Sequence, residues 1–330
     1  MTLKRHIHHL LGIALAAIAL CQLPSAAHAR NNHGTVRTNT YTYEGGLAGG
    51  DFNGYGVCRY KNGNTYYGYW QNNYKEGLGR MEYADGTIDF GYWSKGKIKT
   101  AGRKFKPGKK VYGIDVSRHQ KTIAWHDLAL WADRNGKVTG KKNGKFRQPV
   151  LFAFMKSTEG ASLQDVTFKR NFEAAAECGI IRGAYHFLSV SSSVDEQVKN
   201  YIRHTPLQKG DFPPILDLEI DRKVMARSHA RIIKMAKEWL KKIEAHYGVR
   251  PVIYTYDIYY RDYLKGHGFD KYDFWIARYN PAGPSARHWE IWQFTDKGRC
   301  AGISTNVDID IFRGTYSELR EYVRKKGIKK

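Results

Sequence analysis

From Val111 onward, short apolar runs alternate with amphipathic stretches, and this alternation restricts the possible folds more than any other feature of the chain. The runs at 111–117, 150–158, 182–188, 213–220, 251–256, 273–279, 289–295 and 308–312 have the length and composition of strands. Helical periodicity falls between several of them, at 167–178, 194–204, 228–246 and 316–326. Eight strands with crossover helices predict an α/β fold, a parallel barrel of the β/α type. Some later connections are too short for full helices, so an irregular, TIM-like barrel is expected. The Gly- and Lys-rich stretch Asp133–Gln148 reads as a loop or exposed hairpin inserted before the second strand.

Inside that frame one run carries chemistry: Pro213-Pro214-Ile215-Leu216-Asp217-Leu218-Glu219-Ile220. Alternation along a strand puts Asp217 and Glu219 on one face and Leu216, Leu218 and Ile220 on the other. Two carboxyls side by side in an apolar strand are costly unless they pair, bind metal or do chemistry. Their proximity also raises one pKa, which is how a carboxylic acid stays protonated near neutral pH. A solvent-facing strand would tolerate the pattern, but its neighbours are too apolar for that. A barrel gathers its site at the C-terminal strand ends. There the first strand offers Asp115, the second ends in Lys156-Ser157-Thr158-Glu159-Gly160, the third in Tyr185-His186-Phe187, the seventh gives Trp292-Gln293-Phe294, and the last carries Asp308 and Asp310 on one face. Taken alone, His186 reads as a satisfied structural histidine and Asp310 as a loop cap. It is the convergence that points to a site.

The first hundred residues have a different character. Lys4 and Arg5 precede the apolar run Leu10–Leu20, and Ala27-His28-Ala29 has the small-x-small form of a signal-peptidase site. The run is short for a membrane span, and Leu20 argues against a lipid anchor on Cys21. Residues 1–29 are therefore expected to be a cleaved export signal, and 30–42 a flexible, polar start to the mature chain. A repeat follows. Gly45, Gly68 and Gly91 recur at one period, as do Gly54 and Gly77, Gly56 and Gly79, Tyr60 and Tyr83, and Trp70 and Trp93. Each unit reads as an aromatic hairpin with a turn such as Asn62-Gly63 or Asp85-Gly86. The segments YEGGLAGGDFNGYGVCRYKNG and YYGYWQNNYKEGLGRMEYADG resemble MORN repeats, which implies a small all-β module over 43–99. So few repeats predict a module that leans on the domain behind it. A basic linker at 100–110 separates it from the barrel, 111–325.

The formal net charge is +23, and loss of Lys4 and Arg5 with the signal leaves +21. Such a balance suits polyanionic partners, whether nucleic acid, anionic lipid or acidic wall polymer. Export and the lack of any nucleic-acid module argue against nucleic acid. Cys58, Cys178 and Cys300 remain after cleavage, an odd number without paired spacing, so no disulfide framework or zinc site is expected. With no metal cluster or phosphate-cradling loop in the sequence, no cofactor is expected either, and the protein should be a monomer.

The motifs VYGIDVSRHQ, FMKSTEG, GAYHF, ILDLE, FWIARY, IWQFT and NVDIDIF occur in the order seen in Chalaropsis-type lysozymes, glycoside hydrolase family 25. The chain resembles that family over about residues 111–325. The resemblance implies an irregular β/α barrel that cuts the β-1,4 bond between N-acetylmuramic acid and N-acetylglucosamine in peptidoglycan. It maps the family's acidic residues onto Asp115, Asp217, Glu219 and Asp308, with Glu219 as general acid. Asp217 would then orient the substrate's N-acetyl group if that group is the internal nucleophile. The retaining route, through the substrate or through a carboxylate, stays open. Tyr185, His186, Tyr254, Trp275, Arg278, Trp292 and Glu159 are the expected substrate contacts. The last motif carries Asp310 where the family commonly has Asn. Two alternatives are a non-catalytic wall-binding barrel and a chitinase-type glycosidase. The DxxDxDxE pattern of the latter, ending at Glu219, is broken by Phe212 and Ile215.

Overall fold

The computed structural model describes residues 32–329. The expected export signal lies outside the described residues. Seven antiparallel strands form a meander in chain order: β1 (Asn32–Arg37), β2 (Tyr41–Ala48), β3 (Asp51–Tyr60), β4 (Thr65–Gln71), β5 (Tyr74–Glu82), β6 (Ile88–Ser94) and β7 (Lys97–Ile98). The repeat has a steric meaning. Gly45 faces Gly56 across one strand pair and Gly68 faces Gly79 across another. The ring of Tyr43 lies over the first pair and that of Tyr66 over the second, and a Cβ at Gly68 would sit 2.6 Å from the Tyr66 hydroxyl oxygen. Trp70 and Trp93 then donate their indole N–H to Gly56 O and Gly79 O, at 3.4 and 3.1 Å.

The segment expected to be flexible is in part a strand. β1 pairs with β2 from Asn32↔Leu47 to Arg37↔Thr42. Its only large apolar side chain, Val36, packs against the module core. No apolar alternation announces it, and the open edge of β2 supplies the pairing instead.

The barrel strands are β8 (Val111–Val116), β11 (Phe152–Glu159), β13 (Ile181–Phe187), β14 (Ile215–Asp217), β15 (Val252–Tyr256), β16 (Phe274–Ala277), β17 (Trp289–Gly298) and β19 (Val307–Phe312). They pair in that order, β19 also pairs with β8, which closes the ring, and β12 (Leu163–Gln164) adds a short antiparallel edge to β11. All eight predicted runs are barrel strands. Seven of these strands run parallel to one another, and β19 is the irregular one, antiparallel to both β17 and β8. Only residues 299–306 join β17 to β19, too few for a crossover helix, so the chain turns back.

The intervening helices are α1 (Phe168–Glu177), α2 (Val194–His204), α3 (Arg222–Tyr247), the short α4 (Asp257–Tyr259) and α5 (Tyr316–Lys326). α3 begins six residues before its predicted start. Asp221 caps it by accepting from the amides of Lys223 and Val224, and a non-helical Ser228 kinks it where the sequence periodicity resumes. The inserted stretch is more ordered than a loop. Its end, β10 (Phe146–Gln148), pairs with β9 (Ala129–Ala132), which pairs with β18 (Cys300–Ala301) in a small sheet on the barrel flank.

The repeat module closes one end of the barrel. Leu78, Ile88 and Phe90 share a core with Val111, Leu151, Phe152, Phe312 and Tyr316, at the end where the parallel strands begin. A buried ion pair fixes the contact: Arg80 lies 2.9 Å from Glu82 and donates to the carbonyls of Cys178 and Gly179 at 3.1 and 2.8 Å. Tyr316 donates its hydroxyl to Glu82 at 2.9 Å. Beside them Tyr55 stacks on His126 with ring centroids 3.9 Å apart.

Candidate active site

Alternation decides which side chains enter the barrel. Phe152, Phe154, Ile215, Val252, Trp275 and Ile291 fill its lower part as one apolar plug. Two or more residues further along the same faces come the polar groups: Asp115, Tyr185, Asp217, Tyr254, Gln293 and Asp310, then Lys156, Glu219, Tyr256, Tyr279 and Asp308. Leu216, Leu218 and Ile220 point the other way, into the helical layer.

Asp308 and Asp115 are cross-strand partners, and Asp310 lies two residues deeper on β19. Gln293 donates its amide to Asp115 at 2.7 Å, while its carbonyl accepts the hydroxyls of Tyr254 and Tyr279 at 3.0 and 2.8 Å. Trp275 donates to one oxygen of Asp310 at 2.8 Å. The other Asp310 oxygen is buried and meets no N–H or hydroxyl donor among the described residues. Burial, and then the charges of Asp308 and Asp310, hold the Asp115 carboxyl well above the usual range. Burial does the same to Asp310 and raises Asp308 to about 6. Three carboxyls within hydrogen-bonding reach share protons rather than all ionise. A carboxylic O–H within this trio is the donor that the bare Asp310 oxygen lacks.

Asp217 ends β14, and Glu219 follows where the strand opens into the mouth. Burial and the neighbouring Glu219 push Asp217 well above the carboxylate range, and its Oδ1 has no partner among the described residues. Glu219 is half-buried. Burial raises it to about 7, against the opposing pull of the Tyr256 hydroxyl and the Lys156 ammonium. Lys156 itself pairs with Glu159 at 2.6 Å and lies over the Phe187 ring.

The other predicted contacts divide. Tyr185 faces Asp115, Asp217, Asp308 and Glu219, whose charges add to burial in raising its phenol. Tyr254 joins the same ring through Gln293. Arg278 is half-buried and held by Asp257 at 3.1 Å, which also accepts from the Ser285 amide and hydroxyl. Glu159 stands at the rim, tied to Lys156.

Three predicted contacts need correction. Trp275 is 1% exposed and lies beneath the carboxyls, so it supports them and does not face substrate. Trp292 sits on the outward side of β17 from Gln293 and commits its indole N–H to Arg278 O at 2.7 Å. His186 is fully buried outside the barrel wall, stacked on Trp239. The Gln197 amide N–H groups go to the carbonyls of Ser189 and Ser192, so its oxygen accepts from His186 Nε2, leaving Nδ1 to accept the Thr158 hydroxyl. Burial lowers this imidazole to about 4, so it stays neutral.

Sequence reasoning passed over Gln293, Lys156, Tyr256 and Tyr279 as site residues. Period two would have found the tyrosines, each one inward step beyond Tyr254 and Ala277. Both expose much of their rings at the mouth, with centroids 6.4 Å apart, and form an aromatic rim suited to a sugar face. Among the described residues no set of three or more His, Cys, Asp or Glu is arranged to hold a metal ion.

A closed eight-stranded barrel with a ring of carboxyls at its C-terminal mouth defines a barrel glycoside hydrolase. Residues 114–303, more than half of the chain, match the model of glycosyl hydrolases family 25, and the chain belongs to that family. The MORN repeat model matches residues 43–65 and 66–88. The chain is 35% identical over 215 residues to the protein YegX of Escherichia coli K12, covering 64% of this chain and 73% of that one. It is 28% identical over 223 residues to lysozyme M1 of Streptomyces globisporus, covering 63% and 70%. A family 25 glycosyl hydrolase from Bacillus anthracis superposes with a TM-score of 0.54 at 27% identity, over 64% of this chain and 93% of that one. The lysozyme of Streptomyces coelicolor gives 0.55 at 26%, over 65% and 97%.

Proposed function

We propose that this glycoside hydrolase is an exported N-acetylmuramidase that cuts the β-1,4 bond between N-acetylmuramic acid and N-acetylglucosamine in peptidoglycan. The observation that carries the reading is Glu219, a half-buried carboxyl at the mouth, lifted to about 7 beside a second inward carboxyl. It therefore holds a proton near neutral pH, as a general acid must. Relatives named lysozyme M1, autolytic lysozyme (Clostridium acetobutylicum) and N,O-diacetylmuramidase (Arthroderma benhamiae) support the substrate class.

In this mechanism Glu219 protonates the glycosidic oxygen as the C1–O bond breaks. The unpartnered Asp217 oxygen accepts the N–H of the 2-acetamido group, and the acetamido carbonyl oxygen bonds to C1. Water then attacks C1 from the vacated side, giving its proton to the Glu219 carboxylate and releasing the acetamido oxygen, so configuration is retained. Asp115, Asp308 and Asp310 hold shared protons alongside. In this reading Tyr185, Tyr256, Tyr279 and Arg278 contact the sugars. The N-terminal segment with Lys4, Arg5 and Ala27-His28-Ala29 supports export, with the mature chain beginning near Arg30. The repeats serve as a brace for the barrel floor. Mass spectrometry of reduced digestion products tests the bond assignment: muramic acid at the new reducing ends supports it, and glucosamine there refutes it.

A further inference from the structure

The charge of this protein is unevenly placed. Lys95–Lys110 holds eight cations and no carboxylate, and Asp133–Gln148 holds six cations against Asp133 alone. The two segments, far apart in sequence, pack together: the Lys104 amide donates to Arg134 O at 3.1 Å, and the Phe105 and Phe146 rings meet edge-on at 6.3 Å. Among the described residues only Arg103 of these cations has an ion-pair partner, Asp89 at 3.5 Å. Elsewhere carboxylates are interspersed with the cations, and several of them pair. On α3 and its exit Lys242 pairs with Asp195 and Glu238, and Arg250 with Glu244; on α5 Glu321 takes both Arg324 and Lys325. An uncompensated ridge of one sign costs self-repulsion, which a bound polyanion relieves.

The ridge also leads somewhere. It starts beside the repeat module and ends where the Arg299 amide donates to Gly140 O at 2.9 Å, at the loop that follows β17 on the mouth side. None of the exposed large apolar side chains falls within either segment, so the ridge lacks what a bilayer surface would bury. We propose that this ridge is a docking surface for the peptidoglycan strand beyond the cleavage site, holding the carboxylates of its peptide side chains. The inference rests on the muramidase reading for the identity of the polymer. It predicts that the enzyme grips a polymeric wall far better than a short neutral oligosaccharide.

The test is sedimentation of the purified Glu219→Gln protein with insoluble peptidoglycan, so that binding is read without turnover. Half-saturation should rise at least tenfold between 50 and 500 mM NaCl, because exposed charges are screened. Adding Lys104→Gln, Lys109→Gln, Lys141→Gln, Lys142→Gln and Lys145→Gln should weaken low-salt binding at least tenfold and remove most of the salt dependence. Lys223→Gln, Lys234→Gln and Lys241→Gln on α3 should change it less than twofold. Amidating the wall carboxyls should reproduce the ridge variant, whereas stripping phosphate polymers with hydrofluoric acid should change nothing. The proposal fails if the ridge variant binds within twofold of its parent, or if the α3 variant is equally weak. It also fails if stripped walls lose the binding, or if anionic phospholipid vesicles take up the protein in a ridge-dependent way. Wild-type protein that releases no fragments while ridge-dependent binding persists would count against the muramidase reading and leave the ridge standing.

Discussion

At the residue scale the site is a set of carboxyls kept from ionising by burial and by one another, and that has a cost in stability. Glu219 ordinarily titrates near 4.5 and in the fold near 7. The folded state therefore binds a proton more tightly than the unfolded chain, and stability falls as pH rises from about 4.5 through about 7. Glu219→Gln removes that loss, so the variant should be more stable than wild type at pH 8, by roughly 1–3 kcal/mol, and nearly equal to it at pH 4. Thermal unfolding at the two pH values checks this; equal midpoints at pH 8 would mean Glu219 is not perturbed. Asp310 gives a second prediction. Its bare oxygen sits in the protonated trio while Trp275 donates to the other. Asp310→Asn keeps a donor and an acceptor in place and should retain activity within about fivefold, whereas Asp310→Ala leaves neighbours unpaired and should lose tenfold or more. A tenfold loss in the Asn variant would show that ionised Asp310 is required.

The residues also show what was legible beforehand. Alternation puts Asp217 with Glu219, and Asp308 with Asp310, on shared faces, while the family resemblance is what singles out Asp115, Asp217, Glu219 and Asp308 as the acidic set. Tyr185 and His186 are adjacent, so they cannot both point inward, and alternation alone does not say which does. Trp275 was misplaced for a different reason: it does point inward, but depth along the barrel depends on tilt and register, which no local pattern encodes. Gln293 is not marked by any local pattern, because its importance comes from three partners in three other segments: Asp115 on β8, Tyr254 on β15 and Tyr279 just past β16.

At the element scale the strand positions were readable and the direction of the last one was not. Its reversal follows from a connection too short for a helix, and it brings Asp308 opposite Asp115. The docking of the repeats on the barrel floor is legible only in outline, because no local pattern marks Arg80 and Glu82 as interface residues. Arg80 is in fact 5% exposed, and it satisfies Glu82 and two carbonyls. Arg80→Ala should therefore destabilise by about 3–5 kcal/mol, measured by urea unfolding, with little change in turnover per folded molecule. A change below about 1 kcal/mol would mean the interface does not depend on that pair. Deleting residues 32–99 uncovers Val111, Leu151 and Tyr316 and should lower the unfolding midpoint while sparing the chemistry. A truncated barrel that stays folded yet is inactive would contradict the role of the repeats as a brace.

At the scale of the whole molecule the layers stack in one direction: repeat module, apolar plug, carboxyl ring, aromatic rim. The chemistry is thereby confined to one end and the brace to the other. The chemistry depends on Glu219 acting as the proton donor at that open end. The most direct measurement is the pH dependence of kcat/KM for purified peptidoglycan, run on wild type beside Glu219→Gln. With Glu219 as the acid, the wild-type rate falls tenfold per unit above a pH near 7, as Glu219 loses its proton, and the variant binds the wall but turns over at least a thousandfold more slowly. A variant with turnover close to wild type and the same alkaline limb would contradict that role.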